Sequence, residues 1–110
     1  MEIWRLAIDV ADKIDRLTQT FPKHEIFVLT SQMKRAADSI SLNIAEGLTG
    51  QSNAEQSRFV GYAQRSALEV VNCLFLAKRQ GYITKEAFND LYKELEKLVT
   101  KIQAFKNSLK

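Results

Sequence analysis

Phe88, Leu91, Leu95, Leu98, Ile102, Phe105 and Leu109 recur at alternating three- and four-residue steps toward the C-terminus. That spacing gathers the apolar side chains on one stripe of an α-helix and excludes a strand, whose period is two. A helix with one apolar stripe draws most of its stability from whatever packs against that stripe, and the rest of the chain supplies three partners. Ile3, Ala7, Val10, Ile14 and Leu17 repeat the spacing over about residues 2–18, with Trp4 and Ala11 widening the face. Met33, Ala37, Ile40 and Ile44 do so from about Thr30 or Ser31 to Glu46. Val60, Ala63, Ala67, Val70, Leu74 and Ala77 form the longest seam, over about 28 residues or about 40 Å.

Start and stop residues fit these segments. Thr20-Phe21-Pro22 ends the first helix; Thr30 or Ser31 is expected to cap the second and Gly47 to end it in a left-handed turn. Ser52-Asn53-Ala54-Glu55 reads as a capping box for the third, Gly81 as its stop, and Thr84 as the cap of the fourth. Only four Gly and one Pro interrupt 110 residues. The expected fold is therefore all-α: one domain, residues 1–110, an antiparallel up-down-up-down four-helix bundle with left-handed packing near about +20°.

The second helix carries an unusual polar stripe. Gln32, Arg35, Ser39, Asn43 and Glu46 share one side of it, next to the Met33, Ala37, Ile40 and Ile44 side. A face needing only solubility would scatter Lys and Glu. Uncharged Ser39 and Asn43 between Arg35 and Glu46 instead predict a hydrogen-bonded row at a packed edge, with Glu46 paired to Arg35 or to a neighbouring helix.

The residues for catalysis are missing. His24 is the only histidine and Cys73 the only cysteine, so no His-Cys pair, metal ligand set or cofactor site is expected. Gly47-Leu48-Thr49-Gly50 lacks the lysine and the preceding strand of a phosphate loop. No apolar run reaches the roughly 18–20 residues that cross a bilayer, and Met1 to Val10 has no cleavage-site pattern. The expectation is a non-enzymatic, cytoplasmic protein without a membrane partner, its Cys73 a helix-packing residue.

Several of these motifs coincide with one known family. The run Phe21-Pro22, Glu25, Phe27, Leu29-Thr30, Gln32, Arg35-Ala36, Ser39-Ile40 and Asn43-Ile44-Ala45-Glu46-Gly47, with Trp4, Ser52, Glu55 and Gly81-Tyr82 around it, resembles the four helix bundle proteins, or 23S ribosomal RNA intervening sequence proteins. Arg65 departs from that pattern, which often has a small residue there. The resemblance implies Gln32, Arg35, Ser39, Asn43, Glu46 and Gly47 as a structural signature. It also implies a ring-like homo-oligomer, with five subunits as the expected closure. Its members include proteins encoded within intervening sequences of large ribosomal RNA genes, and similar barrels are accessory subunits of reverse transcriptases. RNA or DNA and a reverse transcriptase or other protein are thus the implied partners.

Apolar positions outside the seams, Leu6, Ile8, Leu42, Ala45, Phe59, Tyr62, Cys73, Phe75 and Leu76, independently favour self-association. Charge is uneven: residues 1–50 hold six Lys/Arg against seven Asp/Glu, and residues 51–110 ten against six. Lys97, Lys101, Lys106 and Lys110 close the chain with no acid among the last fourteen residues. If these lysines converge with Lys34, Arg35, Arg58 or Arg65 on one face, the chain is a scaffold that binds nucleic acid through its backbone charge. If they do not, it is a structural or protein-interaction module with a solvated basic end.

Overall fold

The computed structural model describes residues 1–109, which form four helices and no strand: α1 (Glu2–Thr18), α2 (Ser31–Leu48), α3 (Asn53–Arg79) and α4 (Lys85–Asn107). Successive helices touch, and α4 also touches α1, so the four enclose one core in a body of 43 × 25 × 18 Å. That core holds most of the seams read from the sequence, joined by Phe21, Leu29 and Ala36, whereas Leu17, Phe105 and Leu109 are only half-buried and Trp4, expected to widen the first face, is exposed. Ala7, Val10, Ile14, Met33, Ala37, Ile40, Ala63, Ala67, Val70, Leu74, Leu95, Leu98 and Ile102 are all fully buried, as is Cys73. No described helix is long and apolar enough to cross a membrane.

The helix ends follow local chemistry. Ser52 Oγ accepts the Glu55 amide at 3.1 Å, and Thr84 Oγ1 accepts that of Ala87 at 3.1 Å. Each satisfies one of the amides a helix start leaves free. α3 ends where Gly81 adopts φ +79°, with Tyr82 N–H bonded to Ala77 and Gly81 N–H to Lys78, the two-bond stop that a residue without Cβ makes cheap.

Two expected boundaries are corrected. Neither Thr30 nor Ser31 caps α2: Lys23–Glu25 forms a short 3₁₀ turn, Ile26–Thr30 a π-helical turn, and the backbone runs from it into α2 with Thr30 in helical geometry. Ile26-Phe27-Val28-Leu29 contains no breaker, so helical backbone begins before the cap candidates and the Thr30 hydroxyl is buried without a partner. Gly47 is not left-handed either. It lies inside α2, where a Cβ would stand 3.4 Å from Phe59 Cβ and 3.5 Å from the Gln56 carbonyl. Its role is to let α2 and α3 approach.

Phe21 is buried against the Tyr82 ring, centroids 5.5 Å apart, and Tyr82 donates its hydroxyl to Glu25 at 2.7 Å. These contacts tie the segment after α1 to the turn between α3 and α4. The bond to Glu25 raises the Tyr82 hydroxyl pKa, since the carboxylate favours the protonated phenol.

Candidate functional site

Half of the α2 stripe is a packed polar row. Asn43 Nδ2 donates to the Ser39 carbonyl at 2.9 Å and to Ser39 Oγ at 3.0 Å, and Ser66 of α3 donates to Ser39 Oγ at 2.9 Å. The row joins α2 to α3 where Ala36, Ala37, Ala63 and Ala67 keep both helices slender. The other half is corrected. Gln32, Arg35 and Glu46 are exposed. Arg35 reaches only Ser31, at 3.4 Å, and Glu46 has no side-chain partner among the described residues. The stripe lies on the shoulder of α2: its middle meets α3, while its ends reach solvent.

The expected basic rim divides in three. Lys34 pairs with Asp15 at 3.1 Å, beside Arg35 on α2. Lys97 and Lys101 line a shallow surface of α4 with Lys93, Glu96 and Thr100, and Lys101 is held by Glu2 at 3.1 Å. Lys110 lies outside the described residues. The third group converges: Arg58, Arg65 and Lys106 border one open groove of about 600 Å³ between α3 and α4, with Ser57, Tyr62 and Gln64.

α3 positions the arginines by spacing, because Arg58, Tyr62 and Arg65 stand four and three residues apart and share a face. Lys106 reaches the same face from α4 and lies over Gly61, where an added Cβ would stand 3.5 Å from Lys106 Nζ, an ordinary contact distance. None of these three cations pairs with a carboxylate among the described residues, as is also true of Lys78 over the Phe88 ring. Arg58 lies over the Phe59 ring at 5.2 Å and Arg65 over the Tyr62 ring at 5.8 Å. Lys106 donates to Gln64 Oε1 at 3.4 Å, Gln64 donates to Gln103 at 2.6 Å, and Gln103 to Asn107 at 2.9 Å. Rings and amides orient a cation without neutralising it, whereas Lys13, Lys34 and Lys101 each face a carboxylate. No acid lines the groove. It is therefore a place where positive charge is ordered and uncompensated, with neutral donors beside it, which suits an anion.

The amide relay of Gln64, Gln103 and Asn107, and the space at Gly61, were not read from the sequence. The signal was present: Gly61 is the only glycine inside the long third seam, and Lys106 falls one turn after the Ile102 core position. Cys73 is buried, and burial together with nearby Glu69 pushes its thiol up, away from the thiolate a nucleophile needs. Among the described residues no group of three or more His, Cys, Asp or Glu could hold a metal ion.

Comparison with known proteins adds a family and a fold. The family model described as 23S rRNA-intervening sequence protein matches residues 1–104. A crystal structure at 1.70 Å of a protein with unknown function from the S23 ribosomal protein family of Bacteroides thetaiotaomicron superposes with a TM-score of 0.88. The two sequences are 24% identical, over 94% of this chain and 97% of that one. No curated protein matches.

Proposed function

The chain belongs to the 23S rRNA-intervening sequence protein family, and we propose that within it this protein is a non-enzymatic, cytoplasmic, oligomeric scaffold that holds nucleic acid by its phosphate backbone. The observation that carries this reading is the groove where Arg58, Arg65 and Lys106 are held by rings and amides rather than carboxylates. A phosphodiester strand entering it would release counterions and meet the Ser57 and Gln64 donors, none of which reads a base. Binding of this kind has little sequence preference.

The bundle is taken as up-down-up-down and left-handed. In support, contact pairs run in opposite order along neighbouring helices: Ser39 with Ser66 but Gly47 beside Phe59, and Lys13 with Glu94 but Glu2 with Lys101. Several copies in a ring, five by the family resemblance, would repeat the groove around one assembly and multiply its hold on a long strand. A reverse transcriptase or another enzyme of nucleic acids is the protein partner this scaffold would serve. A second reading, a protein-interaction module, draws on Phe27, which stands 93% exposed beside exposed Val28 on the π-turn before α2.

The test is binding of a labelled RNA and a labelled DNA oligonucleotide across a salt series from ~50 to ~200 mM. Affinity is expected to fall steeply with salt, and Arg58→Gln with Lys106→Gln to flatten that slope without changing helicity or assembly mass. Absence of binding at the lowest salt, or a slope the double variant leaves intact, overturns the proposal.

A further inference from the structure

Charge is not all that lines the groove of Arg58, Arg65 and Lys106. Tyr62 stands in it 39% exposed and Leu68 64% exposed. Leu68 gives a phosphate nothing to bind, and a tyrosine offers it only the hydroxyl. Positions 58, 62 and 65 follow one another at four- and three-residue steps, so the Tyr62 ring lies on the α3 face between two arginines about 10 Å apart along the helix axis. Leu68 continues that face one turn after Arg65.

The ring is held in place. Phe59 meets it at 5.7 Å with the two planes 89° apart, and the Arg65 guanidinium lies over it at 5.8 Å. A ring and a guanidinium fixed against each other form a platform on which a flat π-system stacks. The guanidinium keeps its edge donors for an anion while its face is used in this way.

The groove thus suits a ligand that carries negative charge and a bare planar face within one nucleotide of each other. A duplex does not, because neighbouring pairs cover its base faces and its outside offers phosphates, sugars and base edges. A single strand does, since each unpaired base has a free face beside its own phosphate. We propose that this groove takes single-stranded nucleic acid, its phosphates on Arg58, Lys106 and the edge of Arg65, and one base stacked on the Tyr62–Arg65 pair beside Leu68. Every base has a face to stack, so sequence preference stays small. Arg58 and Lys106 set the salt dependence, and Tyr62 sets the preference for unpaired bases.

This inference rests on the nucleic-acid reading above, and three probes separate the two: an oligo(dT), a fully abasic strand of the same length and a duplex of the same length. The duplex carries twice the phosphates, which works against the expected order. Affinities are read by fluorescence anisotropy at ~50 and ~150 mM salt. At the higher salt, oligo(dT) is expected to bind about fivefold or more tighter than either other probe. Tyr62→Leu is expected to lower oligo(dT) to the level of the abasic strand, with the abasic affinity, salt slope, helicity and assembly mass unchanged. Tyr62→Phe is expected to keep the wild-type difference. No binding of any probe at ~50 mM salt overturns the nucleic-acid reading and this inference with it. Binding in which the abasic strand or the duplex equals or exceeds oligo(dT) overturns the single-strand preference alone. So does a Tyr62→Leu loss that is equal for all probes, which makes the ring only a support for Arg65, or one that Tyr62→Phe shares, which assigns the effect to the hydroxyl. A changed assembly mass in Tyr62→Leu likewise overturns it, by giving the ring to a contact between copies.

Discussion

The two sides of α3 have opposite character. Toward α2 it presents Ala63, Ala67 and Ser66 to Ala36, Ala37, Ser39 and Gly47, and the helices approach until Gly47 nearly touches the Phe59 Cβ. Toward α4 it presents Gln64, Leu68 and Phe75, which meets Phe88 and Tyr92 at ring distances of 5.0 and 5.9 Å, and open grooves lie along that side. Side-chain size at the contact sets how closely helices pack. The α2–α3 side is closed and serves the fold; the α3–α4 side keeps open space and cations without carboxylate partners.

Equivalent changes on the two sides should therefore have unequal effects. The largest contrast is between glycines. Gly47→Leu should destabilise by about 1–3 kcal/mol through overpacking against Phe59 and Gln56, whereas Gly61→Leu, facing only the end of Lys106, should be neutral or slightly stabilising by helix propensity. Urea denaturation of both variants measures the contrast, and equal losses would erase it. Next, Ser66→Ala should cost about 0.5–1.5 kcal/mol by removing the bond to Ser39. Gln64→Ala should leave stability within about 0.5 kcal/mol while weakening oligonucleotide binding, because it loosens Lys106.

Protonation gives a smaller effect. Burial and Glu69 raise the Cys73 thiol, and Glu25 raises the Tyr82 hydroxyl. Groups with raised folded pKa values contribute stability below their unfolded values and lose it as pH rises through the folded ones. The urea midpoint should accordingly decline above the ordinary thiol value of about 8.5. A flat profile there would detach Cys73 from the packed core. Smallest of all, Glu46→Gln should change stability by less than about 0.5 kcal/mol, since the carboxylate is exposed without a partner.

The repeats were legible because burial forces them: the α4 seam from Phe88 to Ile102 is buried as its spacing predicts. Ser52, Thr84 and Gly81 were legible because a cap or stop is local chemistry. Gly47 was not, since a glycine before a loop has the same sequence context whether it ends the helix or admits a neighbour. Thr30 misled because nothing local marks a π-turn. The basic rim misled for a reason the sequence did contain. At about 100° per residue, Lys97 and Lys106 stand nine positions and about 180° apart, on opposite faces of one helix. Neighbours in sequence on a helix need not be neighbours in space. The convergence of Lys106 with Arg58 and Arg65 depends on which helix lies beside α4, which only tertiary structure reveals.

The central claim, that the α3–α4 side is the surface kept for a polyanion, is tested most directly by amide chemical shifts of the assembled protein during titration with a single-stranded oligonucleotide. Shifts are expected at Arg58, Gly61, Gln64 and Lys106, with Ser39, Asn43 and Gly47 silent. Shifts confined to Lys97 and Lys101 or to the α2 stripe, or no shifts at low salt, would contradict it.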